Sequence, residues 1–120
     1  ITYGLMLHHC IEAAEMAADE EISVEVVDLR TIRPLDEDTI LKSVKKTGKA
    51  LIIHEDTKAG GIGGEVAAII SENAFDYLDG PVTRLAGPEV PAMPFSPTLE
   101  SEFLLDADEI LEAILKLATY

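Results

Sequence analysis

The sequence predicts an α/β fold, a three-layer sandwich in which helices cover both faces of a mostly parallel, twisted sheet. Three observations lead there. Short β-branched or apolar runs alternate with amphipathic segments of helical length along the whole chain. The runs Val24–Leu29 and Ala50–Ile53 are nearly continuous in apolar character, which suits strands buried on both faces. Turn formers stand where each run gives way to a helix, Pro34 after the first and Gly60–Gly64 after the second.

Ile1-Thr2-Tyr3 reads as the stump of a first strand, and the chain as one domain, residues 1–120, excised from a longer polypeptide with that strand truncated. A first helix is expected over Leu5–Ala18, with Leu7, Cys10, Ile11, Ala14 and Ala18 on its buried side at spacings of three and four. Asp19-Glu20-Glu21 ends it in solvent. The second strand covers Ser23–Leu29. Pro34 then delays the next helix, because the residue before a proline is pushed out of the α region, and Asp36 caps it. Acids at Asp36, Glu37 and Asp38 and lysines at 42, 45 and 46 complement the helix macrodipole, while Gly48 suits the left-handed position past its end.

The third strand, Ala50–Ile53, ends in His54-Glu55-Asp56. The third helix spans about Gly64–Tyr77 and is expected to bury Val66, Ala67, Ile70, Ala74 and Phe75. Pro81–Ala86 is a fourth strand. Pro88, Pro91, Pro94 and Pro97 keep Gly87–Pro97 extended as a stiff surface connector, and Thr98–Glu102 reads as a loop. Asp106 caps a final helix whose buried stripe is Ile110, Leu111, Ile114, Leu115 and Ala118.

Charge narrows the partners. The chain holds 9 Lys and Arg against 23 Asp and Glu, a formal charge of −14. Beyond Gly60, Arg84 and Lys116 are the only Lys or Arg residues, so any acidic docking face belongs to that half. Such a surface repels nucleic acid and anionic lipid and favours basic protein partners. Cys10 is the single cysteine, which excludes an internal disulfide and a Cys-rich metal site and favours a reducing compartment. The expected localisation is cytoplasmic, or the mitochondrial matrix in a eukaryote.

The motifs are short of chemistry. Gly60–Gly64 opens a helix as phosphate-binding turns do. Yet the third position of the dinucleotide fingerprint is Val66 and no Gly-Lys-Ser/Thr follows, so a tight turn or a close subunit approach at Gly61 and Gly63 is the plainer reading. His54 and Glu55 sit at the end of a buried strand, but neighbours on a strand point to opposite faces. His54 therefore reads as a structural hydrogen-bonding group or an interface residue. His8 and His9 are adjacent on a helix and cannot share one metal. Arg30 and Arg33, after the second strand, are candidates to hold an anion, with pairing to the many carboxylates the simpler role. No catalytic constellation assembles, which suggests an accessory or assembly module of a larger enzyme.

Taken together, several runs resemble the C-terminal domain of transketolase-like thiamine diphosphate enzymes, in particular the beta subunit of the 2-oxoacid dehydrogenase first component. They are Thr2-Tyr3-Gly4 with Glu12-Ala13-Ala14, Val27-Asp28-Leu29-Arg30-Thr31 with Pro34-Leu35-Asp36, and Val44-Lys45-Lys46-Thr47-Gly48-Lys49. His54-Glu55, Leu78-Asp79-Gly80-Pro81-Val82 and Arg84-Leu85-Ala86-Gly87-Pro88 continue the match. Glu55-Asp56-Thr57-Lys58 and Val90-Pro91-Ala92-Met93-Pro94 look most like the branched-chain (2-oxoisovalerate) members, with pyruvate and acetoin dehydrogenases as competitors.

The resemblance implies a parent enzyme that decarboxylates a 2-oxo acid with thiamine diphosphate and magnesium and passes the acyl group to a lipoyl group. No cofactor is expected in this domain, and alone it is expected to be inactive. Its implied partners are the alpha subunit, a second beta subunit and the basic subunit-binding domain of the acyltransferase core. Asp79, and the carboxylate of Tyr120 where that is the natural end, carry over as partner-binding. Gly80, where alanine is frequent, and Thr98–Glu102 depart from the family pattern. The rival readings are another thiamine enzyme, such as a transketolase or a deoxyxylulose phosphate synthase, and a free-standing anion- or nucleotide-binding module.

Overall fold

The computed structural model describes residues 1–120. In chain order it contains α1 (Met6–Asp19), α2 (Glu37–Thr47), β1 (Leu51–Thr57), α3 (Ile62–Ala74), one 3-10 turn (Phe75–Tyr77), β2 (Thr83–Gly87), α4 (Pro97–Phe103) and α5 (Ala107–Ala118). β1 and β2 pair in parallel, from Leu51 opposite Thr83 to His54 opposite Ala86, before the register slips and Thr57 meets Gly87.

Two extended stretches widen this sheet. Thr2 bridges Asp28 in parallel, its N–H donating to Val27 O and its carbonyl accepting from Leu29 N–H, both at 2.9 Å. On the other side the Ile1 amino group donates to Leu51 O at 2.9 Å, and Ile53 N–H donates to Ile1 O at 3.0 Å. The order across the sheet is therefore Ser23–Leu29, Ile1–Tyr3, β1, β2. The expected second strand is extended and joined at a single bridge, Asp28 to Thr2, after which Gly4 turns the neighbouring chain at φ 64°.

Successive residues of β1 separate the two cores, as a period of two requires. Ile52 packs with Ile40, Val44, Val66 and Ile70 beneath α2 and α3. Ile53 packs with Met6, Cys10, Ala13, Leu105 and Ile110 beneath α1 and α5. These are the three layers that the alternation of elements predicts.

The caps follow the sequence closely. Asp36 accepts from Thr39 N–H at 3.0 Å, and Gly48 ends α2 at φ 72°. The hydroxyl and N–H of Thr39 hold the Asp36 carboxyl below its ordinary range. Asp106 accepts from Glu109 N–H at 2.9 Å, and the Glu109 carboxylate accepts from Asp106 N–H at 3.1 Å, a complete capping box.

Several faces differ from the expectation. α1 buries Met6, Cys10, Ala13 and Ala17, while Leu7 is half-buried and Ile11 is 44% exposed. Apolar residues ring most of this helix, so spacing alone selects no unique stripe. Phe75 is 71% exposed because the α-helical winding stops at Ala74, and the tighter 3-10 turn carries it off the buried face. Residues read as a loop form α4, with Pro97 in its first turn, where a missing N–H costs nothing. In α5 Ile110 and Leu117 are buried, with Leu111, Ile114, Leu115 and Ala118 half-buried around them.

Candidate functional site

A parallel sheet has two chemically distinct edges, and the candidate residues divide between them. At the C-terminal edge His54 has 0% exposure. Its Nδ1 lies 3.0 Å from Asp56 O and must donate to that carbonyl, which leaves Nε2 buried without a partner. The chain then turns, with Gly60 at φ 79°, and α3 begins directly over the imidazole. A Cβ on Gly61 would stand 2.7 Å from His54 Cε1 and collide with Thr57 O, and one on Gly63 would stand 2.5 Å from Nε2. The glycines at 61 and 63 admit a ring from the preceding strand, and that ring fills the space against the helix start.

Two residues that the sequence reading did not single out also bind this turn. Arg84 donates to Lys58 O at 3.0 Å, and Glu89 accepts from Ala59 N–H at 2.8 Å. The signal for Arg84 was its place in the strand beside β1, where it stands opposite Ile52. Arg30 and Arg33 do not join it. Arg30 is paired with its near neighbour Asp28 at 2.9 Å, with a side chain 86% exposed, and Arg33 is exposed without an ion pair.

At the opposite edge, where strands begin, Asp79 and Tyr120 come together. Gly48 O accepts from Asp79 N–H at 2.7 Å, and a Cβ on Gly48 would strike the Asp79 carboxylate. Gly80 lies against Tyr120, since a Cβ there would be 3.1 Å from Tyr120 Cβ. Lys49 Nζ donates to Ala118 O at 2.9 Å and pins the end of α5 beside them. The result is an exposed patch with an unpaired carboxylate at Asp79 and a 67% exposed ring at Tyr120. Nearby, Tyr77 stacks under the Lys45 ammonium, 5.2 Å from the ring centroid.

Neither edge fits the thiamine diphosphate and magnesium that the resemblance implies. No three His, Cys, Asp or Glu side chains gather to hold a metal ion. A diphosphate at the glycines would have to displace the buried imidazole. At the C-terminal edge the glycine turn is packed on the buried His54 ring, and at the opposite edge an exposed acid stands unpaired.

The sequence matches the family described as transketolase, C-terminal domain, over residues 1–110. The chain belongs to this family. As a transketolase C-terminal domain it is 50% identical over 120 residues to the 2-oxoisovalerate dehydrogenase subunit beta of Bacillus subtilis (strain 168), covering 100% of this chain and 37% of that protein. It is 43% identical over 120 residues to the pyruvate dehydrogenase E1 component subunit beta of the same organism, covering 100% of this chain and 36% of that one. Among solved structures it superposes on a split gene transketolase, an inactive beta4 tetramer, with TM-score 0.83 and 28% identity, covering 98% of this chain and 38% of the other. The chain thus spans little more than a third of the length of the curated relatives it matches, as the 37% figure shows. No helix is long and apolar enough to cross a membrane.

Proposed function

We propose that this domain is the assembly and partner-docking unit of the beta subunit of a 2-oxoacid dehydrogenase, and that the parent enzyme acts on branched-chain 2-oxo acids. The observation that carries the docking role is the exposed patch at the start of the strands, where Asp79 stands unpaired beside Tyr120. The acidity of the chain beyond Gly60 makes a basic partner the chemically fitting one. Higher identity to the 2-oxoisovalerate enzyme, 50% against 43% for the pyruvate enzyme of the same organism, favours the branched-chain substrate.

In this reading thiamine diphosphate and magnesium are held by other parts of the parent enzyme, which decarboxylates the 2-oxo acid and passes the acyl group to a lipoyl carrier. The alpha subunit and a second beta subunit pack around this domain, with Arg30 and Arg33 exposed to them, while His54, Gly61 and Gly63, buried against one another, shape the turn from within and are not themselves contact residues. The basic partner is the subunit-binding domain of the acyltransferase core. The enzyme works in the cytoplasm, or in the mitochondrial matrix of a eukaryote. Residues 1–120 supplied with thiamine diphosphate, magnesium and 2-oxoisovalerate should release no carbon dioxide above the blank; measurable decarboxylation would place a catalytic centre here.

Docking is tested by calorimetric titration of the domain with an acyltransferase subunit-binding domain. Asp79→Lys should weaken binding by about tenfold at low salt, which is about 1.4 kcal/mol. The difference should shrink toward nothing near 1 M salt, where the screening length falls to about 3 Å. Asp76→Lys, the same charge change on the neighbouring turn, should have a smaller effect. Unchanged affinity in Asp79→Lys would remove this residue from the docking surface.

A further inference from the structure

The far side of β2 carries a row of main-chain groups with no partner. Thr83 N–H donates to Ala50 O at 3.0 Å, so Thr83 faces β1. N–H and C=O of one strand residue point to the same side, and the side alternates along the strand. Val82, Arg84 and Ala86 therefore turn their amides and carbonyls away from β1, and none of these groups makes a hydrogen bond.

Alongside this edge runs a groove of about 840 Å³, lined by Gly64, Ala67 and Ser71 of α3 and by Val82 and Arg84 of the strand side. Its two ends carry opposite charge. A Cβ on Gly64 would stand 3.7 Å from Arg84 Nη1, which sets the guanidinium over the first turn of α3, where the helix dipole adds to its positive charge. Asp76 lines the other end, in the 3-10 turn that follows α3. Neither side chain forms an ion pair.

We propose that this edge binds an extended segment of a partner protein, added antiparallel to β2, with an acidic residue at Arg84, β-branched side chains over Ala67 and Ser71, and a basic residue at Asp76. A line of alternating main-chain donors and acceptors is matched by another main chain. Antiparallel addition lets facing residues exchange both bonds and is the slightly more stable pairing. Between the charged ends Gly64, Ala67 and Ser71 lie three and four residues apart on one face of α3, and their small size leaves room for side chains of the added strand. The Ser71 hydroxyl is already bonded to Ala67 O at 2.8 Å. Charge decides against a second copy of this chain, because two molecules of formal charge −14 repel, whereas a segment bearing both signs complements the two ends. The edge is read by other amides than the Asp79 patch, so the failure of one leaves the other standing.

The probe is the end-blocked heptapeptide Glu-Thr-Val-Thr-Val-Thr-Lys, which presents Glu, both Val and Lys on one face of a strand. Two controls accompany it: the reverse order Lys-Thr-Val-Thr-Val-Thr-Glu, identical in composition, and Glu-Thr-Pro-Thr-Pro-Thr-Lys, whose prolines remove ladder donors. Binding to residues 1–120 is followed by NMR. The first peptide should bind with a Kd below about 1 mM, shifting the amides of Val82, Arg84 and Ala86 most. The reverse order should bind about fivefold more weakly, and the proline form should leave these amides unmoved. Ala86→Pro removes one outward N–H and no bond to β1; it should weaken the first peptide by about tenfold in a domain whose denaturation curve shows it folded. Absence of shifts at the three amides, equal affinity for the two orders, or undiminished binding of the proline peptide would each overturn the proposal.

Discussion

Gly61→Ala is expected to destabilise the domain by about 3 kcal/mol and Gly63→Ala by about 2 kcal/mol, the latter although alanine is the better residue inside a helix by about 1 kcal/mol. At both positions the added carbon meets a ring that has nowhere to go. His54 is fully buried and tied by Nδ1 to Asp56 O at 3.0 Å, and Ile52 Cγ2 stands 3.4 Å from the Gly63 site. The two substitutions separate in a His54→Ala background. There the Gly63 methyl enters the space the imidazole leaves, so the double variant should be more stable than additivity allows, by at least about 1 kcal/mol. Gly61→Ala should recover less, because its methyl also collides with the Thr57 carbonyl, which remains. Urea denaturation of the five variants gives the cycle; strict additivity at Gly63 would show that the glycine is not there to admit His54.

This arrangement marks the limit of what the sequence discloses. Local signals were legible because their physics is local: Asp36, Gly48 and Asp106 cap helices from within a few residues, and Pro34, Pro88, Pro91 and Pro94 exclude helix by their own geometry, whereas Pro97 opens one. The alternation of apolar runs with amphipathic segments was enough for a parallel sheet between two helical layers. The buried face of α1 was not legible, because Leu7 and Ile11 are as apolar as Met6 and Cys10, and only the approach of α5 chooses between them. Nor was Phe75, whose exposure depends on a change of helical pitch at Ala74.

The candidate site divides in the same way. That Gly61 and Gly63 demand close approach followed from their lack of a side chain, but the approaching group could be named only from the fold. Arg84 and Glu89 reach the turn across the sheet edge, contacts that no spacing encodes. Asp79 and Tyr120 were named through resemblance; the fold sets them at one edge, where Gly80, next to Asp79, lacks the side chain that would crowd Tyr120.

Gly48→Ala should link stability to docking without changing a charge. Gly48 sits at φ 72°, and an L side chain in the left-handed region costs about 1–2 kcal/mol. The collision is of another kind, because its first contact is the end of the Asp79 side chain, which can rotate away. Little further stability is lost in that rotation, but the carboxylate leaves the position that Gly48 O fixes through Asp79 N–H. Affinity for the basic subunit-binding domain should therefore fall, under conditions where denaturation curves show the variant fully folded. Gly48→Asn sharpens the point. Asparagine tolerates the left-handed region, so it should regain part of the stability, yet its Cβ displaces Asp79 as alanine does and should leave affinity low. If Gly48→Asn binds as tightly as the unaltered domain, the orientation of Asp79 does not govern docking, and the partner is held by the bulk acidity of this half of the chain instead.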